Sequence, residues 1–519
     1  MSLPYTPLDQ IPSIVSSLHE SFHSHAKLDS IQYRLKQLRI LYHAIHSNED
    51  AICEAIKLDL NRPIQDTKFL EFDVFYSEIL DIIANLESWS KPTPVDDVPK
   101  IISFASPKIE RIPLGTVLII SPFNVPMLLA LQPIVGALCG GNTMVLKQSE
   151  FVPNTALILS KILTRALDSD IFKVVNGAID ETTVLLEQKF DKILYTGSSQ
   201  VGRIVAKAAS KNLTPCLLEL GGKTPVYVGA SVEDSLEVVT KRIMFTKFIN
   251  AGQVCLAADY LLVDEKIYDK FIKTLLKTVD EYFKGVDSKN FTHIIHERSW
   301  ERLNSMIKST KGQIIFGGKN SNRALKYIEP TIIKNVDFND STMKEEIFGP
   351  ILPIIKISNI FETIDEIKSR HDTPLSMNIY SHDASEVHYL RTHIRSGALI
   401  INDGMMHVAI HSLPFGGIGE SGYGAYHGIH SFKSFTHERA ILEHPFWCDK
   451  FWTDKFIKIV DIENTWRGSK HLPQLPGKDV DFDANGEVIK KPIDEKVWKL
   501  GAVGVVVAGV VAYCYGLVL

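Results

Sequence analysis

The sequence predicts an α/β protein built on a doubly wound parallel sheet. Five short apolar runs, rich in β-branched residues or leucine, have the composition of buried strands: 116–120, 143–147, 172–176, 192–196 and 216–220. Helical stretches such as 156–167 and 201–210 lie between them. Strands that alternate with helices in this way form a parallel sheet with helices on its faces. At 519 residues the chain is long enough for two large domains.

Helices are predicted before the sheet, and a second mixed region after it. Residues from about 8 to 90 have helical periodicity, which places Leu35, Leu38, Leu41 and Ile45 on one face. From about 221 to 425 the chain has further strands, among them 260–264 and 351–357. In open parallel sheets, ligands bind beyond the carboxyl ends of the strands. Functional residues are therefore expected directly after each strand.

The C-terminal residues 498–519 are predicted to form a transmembrane helix. After Lys499 the chain has twenty residues without a charge, and as a helix these span about 30 Å, one hydrocarbon thickness. A buried core helix is the alternative, but core helices rarely carry such a run at the end of a chain. Trp498 and Lys499 have the character of interfacial anchors. A single terminal span predicts a tail anchor with the rest of the protein facing the cytosol.

The region before the tail predicts a linker and an amphipathic helix. Residues 467–497 are polar and contain several prolines, which is typical of a linker. Within 449–466, large apolar side chains recur on one helical face, and either core packing or contact with the membrane or the substrate entrance explains them. The N-terminus lacks a secretory signal. The outer mitochondrial membrane, the endoplasmic reticulum and lipid droplets all remain as destinations.

Composition excludes some classes of function. The formal net charge of -5 argues against a nucleic-acid partner. The six cysteines show no paired or zinc-like spacing, so we expect reduced thiols and no metal site.

Three residues form a candidate catalytic set. Cys255 is flanked by small residues that permit close approach of a substrate, although a lone cysteine is more often a packing residue. Glu219 ends an apolar strand, where burial should raise its pKa and suit it to act as a general base. Asn124 follows the strand at 116–120, and its amide is a candidate oxyanion donor, although asparagine is also common in turns.

A second set points to a bound anion. Gly197, Ser198 and Gly202 follow the strand at 192–196 and open a helix, whose N-terminus favours a group such as a pyrophosphate. Lys147 and Glu150 follow another strand and have the reach to contact ribose hydroxyls, although ordinary surface charges fit the same pattern. Each of these signals is weak when taken alone.

Together, these residues resemble the aldehyde dehydrogenase superfamily over about residues 30–440. This resemblance rests on seven runs in the same order: PFN at 122–124, LKQSE at 146–150, TGSSQVG at 196–202, LELGGK at 218–223, GQVC at 252–255, EEIFGP at 345–350 and PFGGIGESGYG at 414–424. The continuation GAYHGIHSFKSFTHERA at 424–440, the short N-terminus and the apolar tail resemble the family 3 branch in particular. The resemblance implies that the Cys255 thiolate attacks the aldehyde, that Asn124 holds the oxyanion, and that Glu219 activates water to hydrolyse a thioester. It also implies a depressed pKa for Cys255, helped by the charge of the neighbouring nicotinamide.

The resemblance further implies a cofactor, a domain plan and a dimer. NAD is expected, with NADP possible, and the residues expected to bind it are Lys147, Glu150, Thr196, Gly197, Ser198, Val201, Gly202, Glu346 and Phe348. Residues 1–220 should form the NAD-binding domain, with a hairpin strand near 100–115, and residues 221–425 the catalytic domain. Residues 426–466 should form an oligomerisation segment with the amphipathic helix, in a homodimer.

Several functions remain open at this point. The family 3 branch includes membrane-anchored enzymes that act on medium- and long-chain fatty aldehydes such as hexadecanal, and the predicted tail favours that substrate class. The same chemistry on aromatic aldehydes such as 4-hydroxybenzaldehyde is the nearest alternative. An acylating enzyme that passes the thioester to coenzyme A is a second, and Glu219 argues against it. A non-catalytic NAD-binding membrane scaffold is the alternative from a different class.

Overall fold

The computed structural model describes residues 3–25, 27–96, 98 and 105–448. Its helices are α1 Ile11–His25, α2 Ile31–His46, α3 Glu49–Leu60, α4 Ile64–Thr67, α5 Asp73–Trp89, α6 Leu128–Cys139, α7 Pro153–Ala166, α8 Ile179–Glu187, α9 Ser199–Ser210, α10 Leu236–Phe248, α11 Tyr268–Tyr282, α12 Glu297–Ser309, α13 Ile360–Arg370, α14 Ala384–His393 and α15 Gly428–Ser434. Its strands are β1 Thr93–Pro94, β2 Ser106–Pro113, β3 Thr116–Ile120, β4 Thr143–Lys147, β5 Phe172–Val174, β6 Lys192–Gly197, β7 Cys216–Leu220, β8 Pro225–Val228, β9 Tyr260–Asp264, β10 Gln313–Phe316, β11 Thr331–Lys334, β12 Ile351–Ile357, β13 Ser376–Tyr380, β14 Ala398–Ile401, β15 Gly422–Tyr423 and β16 Thr436–Glu443.

The described residues fall into two compact units. The larger contains residues from 3–91 and 110–439, and the smaller contains residues from 92–109 and 440–448. In the smaller unit β1 pairs antiparallel with the first half of β2. Every candidate site residue lies in the larger unit.

A six-stranded sheet occupies the first half of the larger unit. Its order is β15-β7-β6-β3-β4-β5, and all neighbours are parallel except β15, which runs antiparallel to β7. The five strands predicted here are confirmed, although β5 ends at Val174, two residues early. Strands β3 and β4 are buried along their whole length, as expected for a parallel sheet covered on both faces.

Helices cover both faces of this sheet. One face packs against a large cluster that includes α2, α3, α5, α6 and α7, and the other against α1, α8 and α9. The predicted helical face is confirmed, because Leu35, Leu38, Leu41 and Ile45 are all buried in the first cluster. Between α4 and α5, residues Lys68–Phe72 form a π-helical turn, a feature often found beside functional sites.

A seven-stranded sheet follows in the order β10-β11-β12-β9-β8-β13-β14. All neighbours are parallel except β10, which runs antiparallel to β11. Helices α10 and α11 pack on one face, and α12, α13 and α14 on the other. The fold is therefore of the predicted α/β class, and the second region, predicted only as mixed, contains a largely parallel sheet of its own.

No helix within the described ranges is long and apolar enough to cross a membrane. The predicted tail at 498–519, the linker at 467–497 and the amphipathic helix within 449–466 all lie outside the described residues.

Candidate active site

The loop that carries Cys255 is tightly wound. After α10 ends at Phe248, Asn250, Ala251 and Gly252 all adopt left-handed backbone conformations, with φ of 53°, 53° and 71°. Only glycine adopts this region at no steric cost. A Cβ atom on Gly252 would also overlap the carbonyl oxygen of Gly349. The strained loop delivers the thiol three residues later at a fixed place, which is a common property of functional sites.

Cys255 is a half-buried residue that lines a cavity. Burial raises the pKa of Cys255 to about 12, and the nearby carboxyl groups of Glu219 and Glu346 add to the rise. Without a bound cofactor the pKa of Cys255 is therefore raised rather than depressed, and the expected depression stays a prediction for the enzyme that holds the nicotinamide. The reason is physical: two acidic neighbours and an apolar wall both disfavour the thiolate.

Glu219 lies at the carboxyl end of β7 and is only 3% exposed. Burial raises its pKa well above the ordinary value, as its strand position predicts, while the Gly417 amide favours the charged form more weakly. Neither carboxyl oxygen has a hydrogen-bond partner of good geometry among the residues described. A buried polar group without partners is costly, so these oxygens are suited to a water or substrate group.

Asn124 is held on two sides by hydrogen bonds. Its side-chain Nδ2 donates to the carbonyl of Gln253 at 3.0 Å, two residues before Cys255. The backbone carbonyl of Asn124 accepts hydrogen bonds from Asn250 Nδ2 at 2.8 Å and from Arg62 Nη1 at 3.1 Å. One hydrogen of the Asn124 amide remains for another acceptor. The structure thus joins two predicted site residues, Asn124 and Cys255, through one loop.

Cys255 and Asn124 line a cavity of about 280 Å³. Its walls are mainly apolar and come from the π-helical turn and α5, from α6 and from residues 405–409: Phe69, Leu70, Val74, Leu128, Leu129, Met405, Met406 and Val408. Polar side chains are few and include Asp73, Ser77 and His411. Small-molecule sites commonly combine such an apolar wall with a few polar groups. The cavity suits an apolar substrate whose reactive carbon reaches Cys255.

The carboxyl ends of β6 and β7 lie side by side, with Thr196 in register with Glu219. Ser198 caps α9, whose first turn presents free backbone N–H groups. Within the described part of the chain, the buried hydroxyl of Thr196 has no hydrogen-bond partner, and Val201 is 38% exposed beside this helix end. A Cβ at Gly202 would crowd Leu220, so α9 packs closely on β7. Gly197 ends β6. This end of the sheet fits a dinucleotide, with an unpaired hydroxyl, free amides and an exposed apolar surface.

Lys147 and Glu150 form an ion pair at the end of β4. Lys147 is 4% exposed, and its Nζ lies 2.9 Å from a Glu150 carboxyl oxygen. Ile120 is in register with both Lys147 and Tyr195, so this pair is on the same edge of the sheet as Ser198. The pair offers both a donor and an acceptor for ribose hydroxyls.

Glu346 and Phe348 lie on a loop that Lys223 holds through a hydrogen bond to its backbone. Lys223 Nζ binds Asp259, and it also donates to the Glu345 carbonyl at 3.0 Å. Burial and the nearby Asp259 charge raise the pKa of Glu346 to about 8. Phe348 has a left-handed φ of 47°, and its ring meets that of Phe123 edge to face at 5.9 Å. The loop therefore presents a carboxyl group with a raised pKa and an aromatic ring that packs against Phe123.

Sequence reasoning missed several residues of this site. Arg62 and Asn250 each lie in a loop and have no periodic signal. Tyr426 is buried in the cavity wall, and its hydroxyl has no hydrogen-bond partner among the described residues; it lies two residues after the matched run at 414–424, and that position was the available signal. In the part of the chain described, no group of three or more metal-binding side chains is found.

The geometry and the similarity to known proteins define the class. The model of the aldehyde dehydrogenase family matches residues 2–441. The chain therefore belongs to the aldehyde dehydrogenase family, and it is an enzyme that oxidises aldehydes.

Known relatives place it near the family 3 branch. It is 40% identical over 464 residues to the fatty aldehyde dehydrogenase HFD1 of Saccharomyces cerevisiae, covering 86% of this chain and 87% of that one. It is 39% identical over 430 residues to aldehyde dehydrogenase family 3 member A2 of Rattus norvegicus, covering 82% and 87%. It is 38% identical over 487 residues to the β-apo-4'-carotenal oxygenase of Neurospora crassa, covering 93% and 90%. Among solved structures, the substrate-bound state of Staphylococcus aureus AldH is similar with a TM-score of 0.80 and 36% identity, covering 87% of this chain and all of that one.

Proposed function

We propose that this enzyme oxidises medium- and long-chain fatty aldehydes to carboxylic acids, with Cys255 as nucleophile, Asn124 as oxyanion donor and Glu219 as general base. The observation that carries the proposal is the mainly apolar cavity of about 280 Å³ that Cys255 and Asn124 line. A long alkyl chain gains about 0.8 kcal/mol for each methylene that it buries in such a wall. The name of the yeast relative, a fatty aldehyde dehydrogenase, supports the same substrate class.

The first step forms a covalent bond. The Cys255 sulfur, as thiolate, attacks the aldehyde carbonyl carbon, and the carbonyl electron pair moves to oxygen. Asn124 Nδ2 and the backbone N–H of Cys255 donate to that oxyanion, which compensates for the charge in an apolar site. The rigid hydrogen bond from Asn124 to Gln253 keeps the donor in place before the substrate arrives.

Oxidation follows when a hydride leaves the former carbonyl carbon and the carbonyl re-forms as a thioester. As a member of this family the enzyme uses NAD or NADP, which supplies the hydride acceptor. Thr196, Gly197, Ser198, Val201 and Gly202 would hold its phosphates and adenine. Lys147 and Glu150 would hold one ribose, and Glu346 and Phe348 the other.

Hydrolysis completes the cycle. Glu219 takes a proton from water, the oxygen attacks the thioester carbon, and the Cys255 sulfur leaves as the acid forms. The raised pKa of Glu219 suits it to accept this proton, and its carboxyl oxygens have no partner of good geometry among the described residues. The presence of this base supports hydrolysis rather than transfer to coenzyme A. Product analysis with and without coenzyme A separates the two.

The proposed nucleophile and substrate class are tested on the full-length protein. Cys255→Ala should abolish aldehyde oxidation while NAD binding is retained. Cys216→Ala is the matched control, since this residue is also half-buried but lies at the start of β7, away from the cavity. The value of kcat/KM for hexadecanal should exceed that for benzaldehyde and 4-hydroxybenzaldehyde. Full activity of Cys255→Ala, or a strong aromatic preference, would contradict the respective part of the proposal.

The proposal extends to membrane attachment and assembly. Residues 498–519 would anchor the enzyme to the outer mitochondrial membrane, the endoplasmic reticulum or lipid droplets, with the active site facing the cytosol. An N-terminal fluorescent fusion with and without this segment tests the anchor, and a diffuse signal only without it is the expected result. A homodimer is proposed from the resemblance to family 3. Light scattering in detergent should give twice the 58.2 kDa chain mass.

A further inference from the structure

Arg62 is a fully buried cation at the meeting point of three loops. It lies between α3 and α4 and has no exposed surface. Its Nε donates to Thr67 Oγ1 at 3.1 Å. Its Nη1 donates to the Asn124 carbonyl at 3.1 Å and to Asn250 Oδ1 at 3.3 Å, and its Nη2 pairs with Glu71. Four of its five N–H groups therefore have identified partners.

The Glu71 side of this pair holds the chain just after Asn124. The second carboxyl oxygen of Glu71 accepts from the backbone N–H of Met127 at 2.7 Å and of Leu128 at 2.9 Å. These amides open α6, where the positive end of the helix dipole also favours a carboxylate. The Arg62–Glu71 ion pair therefore holds the segment that carries Asn124 at two points, the backbone carbonyl of Asn124 and the start of α6.

The Asn250 side of the same cation holds the loop before Cys255. Asn250 receives a hydrogen bond from Arg62 and donates from Nδ2 to the carbonyls of Asn124 at 2.8 Å and of Gln253 at 3.1 Å. Its left-handed φ of 53° is maintained within this network. The loops of the proposed oxyanion donor and nucleophile are thus joined through one guanidinium, although their residues are far apart in the sequence.

A buried ion pair of this kind is not an efficient source of stability, because desolvation offsets most of the attraction. The Arg62–Glu71 pair contributes fixed geometry instead, because a planar guanidinium holds several acceptors at defined angles. We infer that Arg62 is a positioning residue for Asn124: it places the Asn124 amide where the oxyanion forms. This inference rests on the proposed role of Asn124.

The test is a double-mutant cycle on the full-length enzyme. Loss of a single oxyanion donor costs roughly 100- to 1000-fold in kcat, so Asn124→Ala should fall in that range. Arg62→Met should lower kcat by roughly 100-fold with the aldehyde KM within about threefold, because the cavity wall is unchanged. If Arg62 acts through Asn124, adding Arg62→Met to Asn124→Ala should lower kcat by no more than about threefold.

Arg34→Met is the matched control for a general loss of packing. Arg34 is also buried and donates to backbone carbonyls, those of Leu28 and Cys139, without contact to the site. It should lower the unfolding temperature and leave kcat within about threefold. Arg62→Lys retains the charge but not the planar guanidinium, so it should recover only part of the loss and leave kcat roughly tenfold below that of the wild type. If Arg62→Met does not fold, the cycle is run with Arg62→Lys. The decrease in kcat that Arg62→Lys causes should likewise disappear when Asn124→Ala is already present.

The outcomes distinguish failure of the positioning role of Arg62 from failure of the proposed role of Asn124. Multiplicative losses in the double variant, or equal loss of kcat in Arg62→Met and Arg34→Met, would overturn the inference. Full activity of Asn124→Ala would instead overturn the proposed oxyanion role on which the inference rests.

Discussion

The reactivity of Cys255 toward alkylation should depend steeply on pH in the enzyme without cofactor. A thiol with a pKa of about 12 is ionised to roughly one part in ten thousand at pH 8, whereas an ordinary cysteine with a pKa of about 8.5 is ionised to roughly one part in four. The more basic thiolate is the stronger nucleophile, which recovers part of this difference. At pH 8 the alkylation rate should therefore be roughly one to two orders of magnitude below that of a free cysteine.

The measurement is the rate of iodoacetamide labelling of the Cys255 peptide, followed by mass spectrometry from pH 7 to 10. Because the thiol stays mostly protonated across this range, the rate should rise about tenfold with each pH unit and reach no plateau. A small free thiol labelled under the same conditions supplies the rate of an ordinary cysteine, because burial also raises the pKa of Cys53, Cys139 and Cys216. A plateau below pH 9 would show that the thiol ionises far more readily than its burial implies.

A single substitution tests the cause of the shift. Glu219 is the largest contributor after burial itself, and Glu346 follows. Once the Glu219 carboxyl has ionised, its charge opposes the thiolate, so Glu219→Gln should speed labelling on the alkaline side of the profile. Below the Glu219 pKa the two profiles should coincide. Glu346→Gln should act in the same direction but more weakly. Slower labelling in Glu219→Gln would refute this reasoning.

Three further perturbations test separate parts of the site. Lys223→Met leaves the Asp259 carboxylate buried without its cation, which should cost about 3–5 kcal/mol and lower the thermal unfolding temperature by several degrees; an unchanged temperature would contradict the buried pair. Gly422→Ala should destabilise the protein and slow thioester hydrolysis, because Gly422 has a φ of 114°, pairs in register with Glu219 and has no room for a Cβ. Gly285→Ala, with a φ of 79° and open space, is its control and should cost only roughly 1–2 kcal/mol of backbone strain, so equal losses would argue against the steric explanation. Glu150→Gln removes a carboxylate expected beside the ribose 2'-hydroxyl, and the NADP-to-NAD ratio of kcat/KM should rise roughly tenfold or more; an unchanged ratio would place the 2'-group elsewhere.

The strands of the first sheet were predictable because their signal is local. Residues of β3, β4 and β7 are buried by helices on both faces, which requires short continuous apolar runs that are visible in the sequence. The placement of Thr196 and Glu219 followed from the same rule, since ligands gather at the carboxyl ends of such strands.

The rest of the site depends on contacts between distant segments. Arg62 looks like an ordinary loop arginine until the fold brings it to Asn124 and Asn250. The cavity wall combines the π-helical turn, α6 and residues 405–409, none of which carries a separate sequence signal. The raised pKa of Cys255 likewise depends on enclosure by residues far along the chain, which small neighbours in the sequence do not reveal.

The short strand β15 has a consequence for the synthesis of this protein. It covers the β7 edge of the first sheet, yet it emerges from the ribosome about 200 residues after β7. At typical rates of translation this interval is roughly 10–40 s. During that time the backbone N–H and C=O groups of β7 near Glu219 that later pair with β15 lack this strand partner. An unpaired edge invites pairing with other chains, so we expect the nascent chain to depend on chaperones until residue 423 is released.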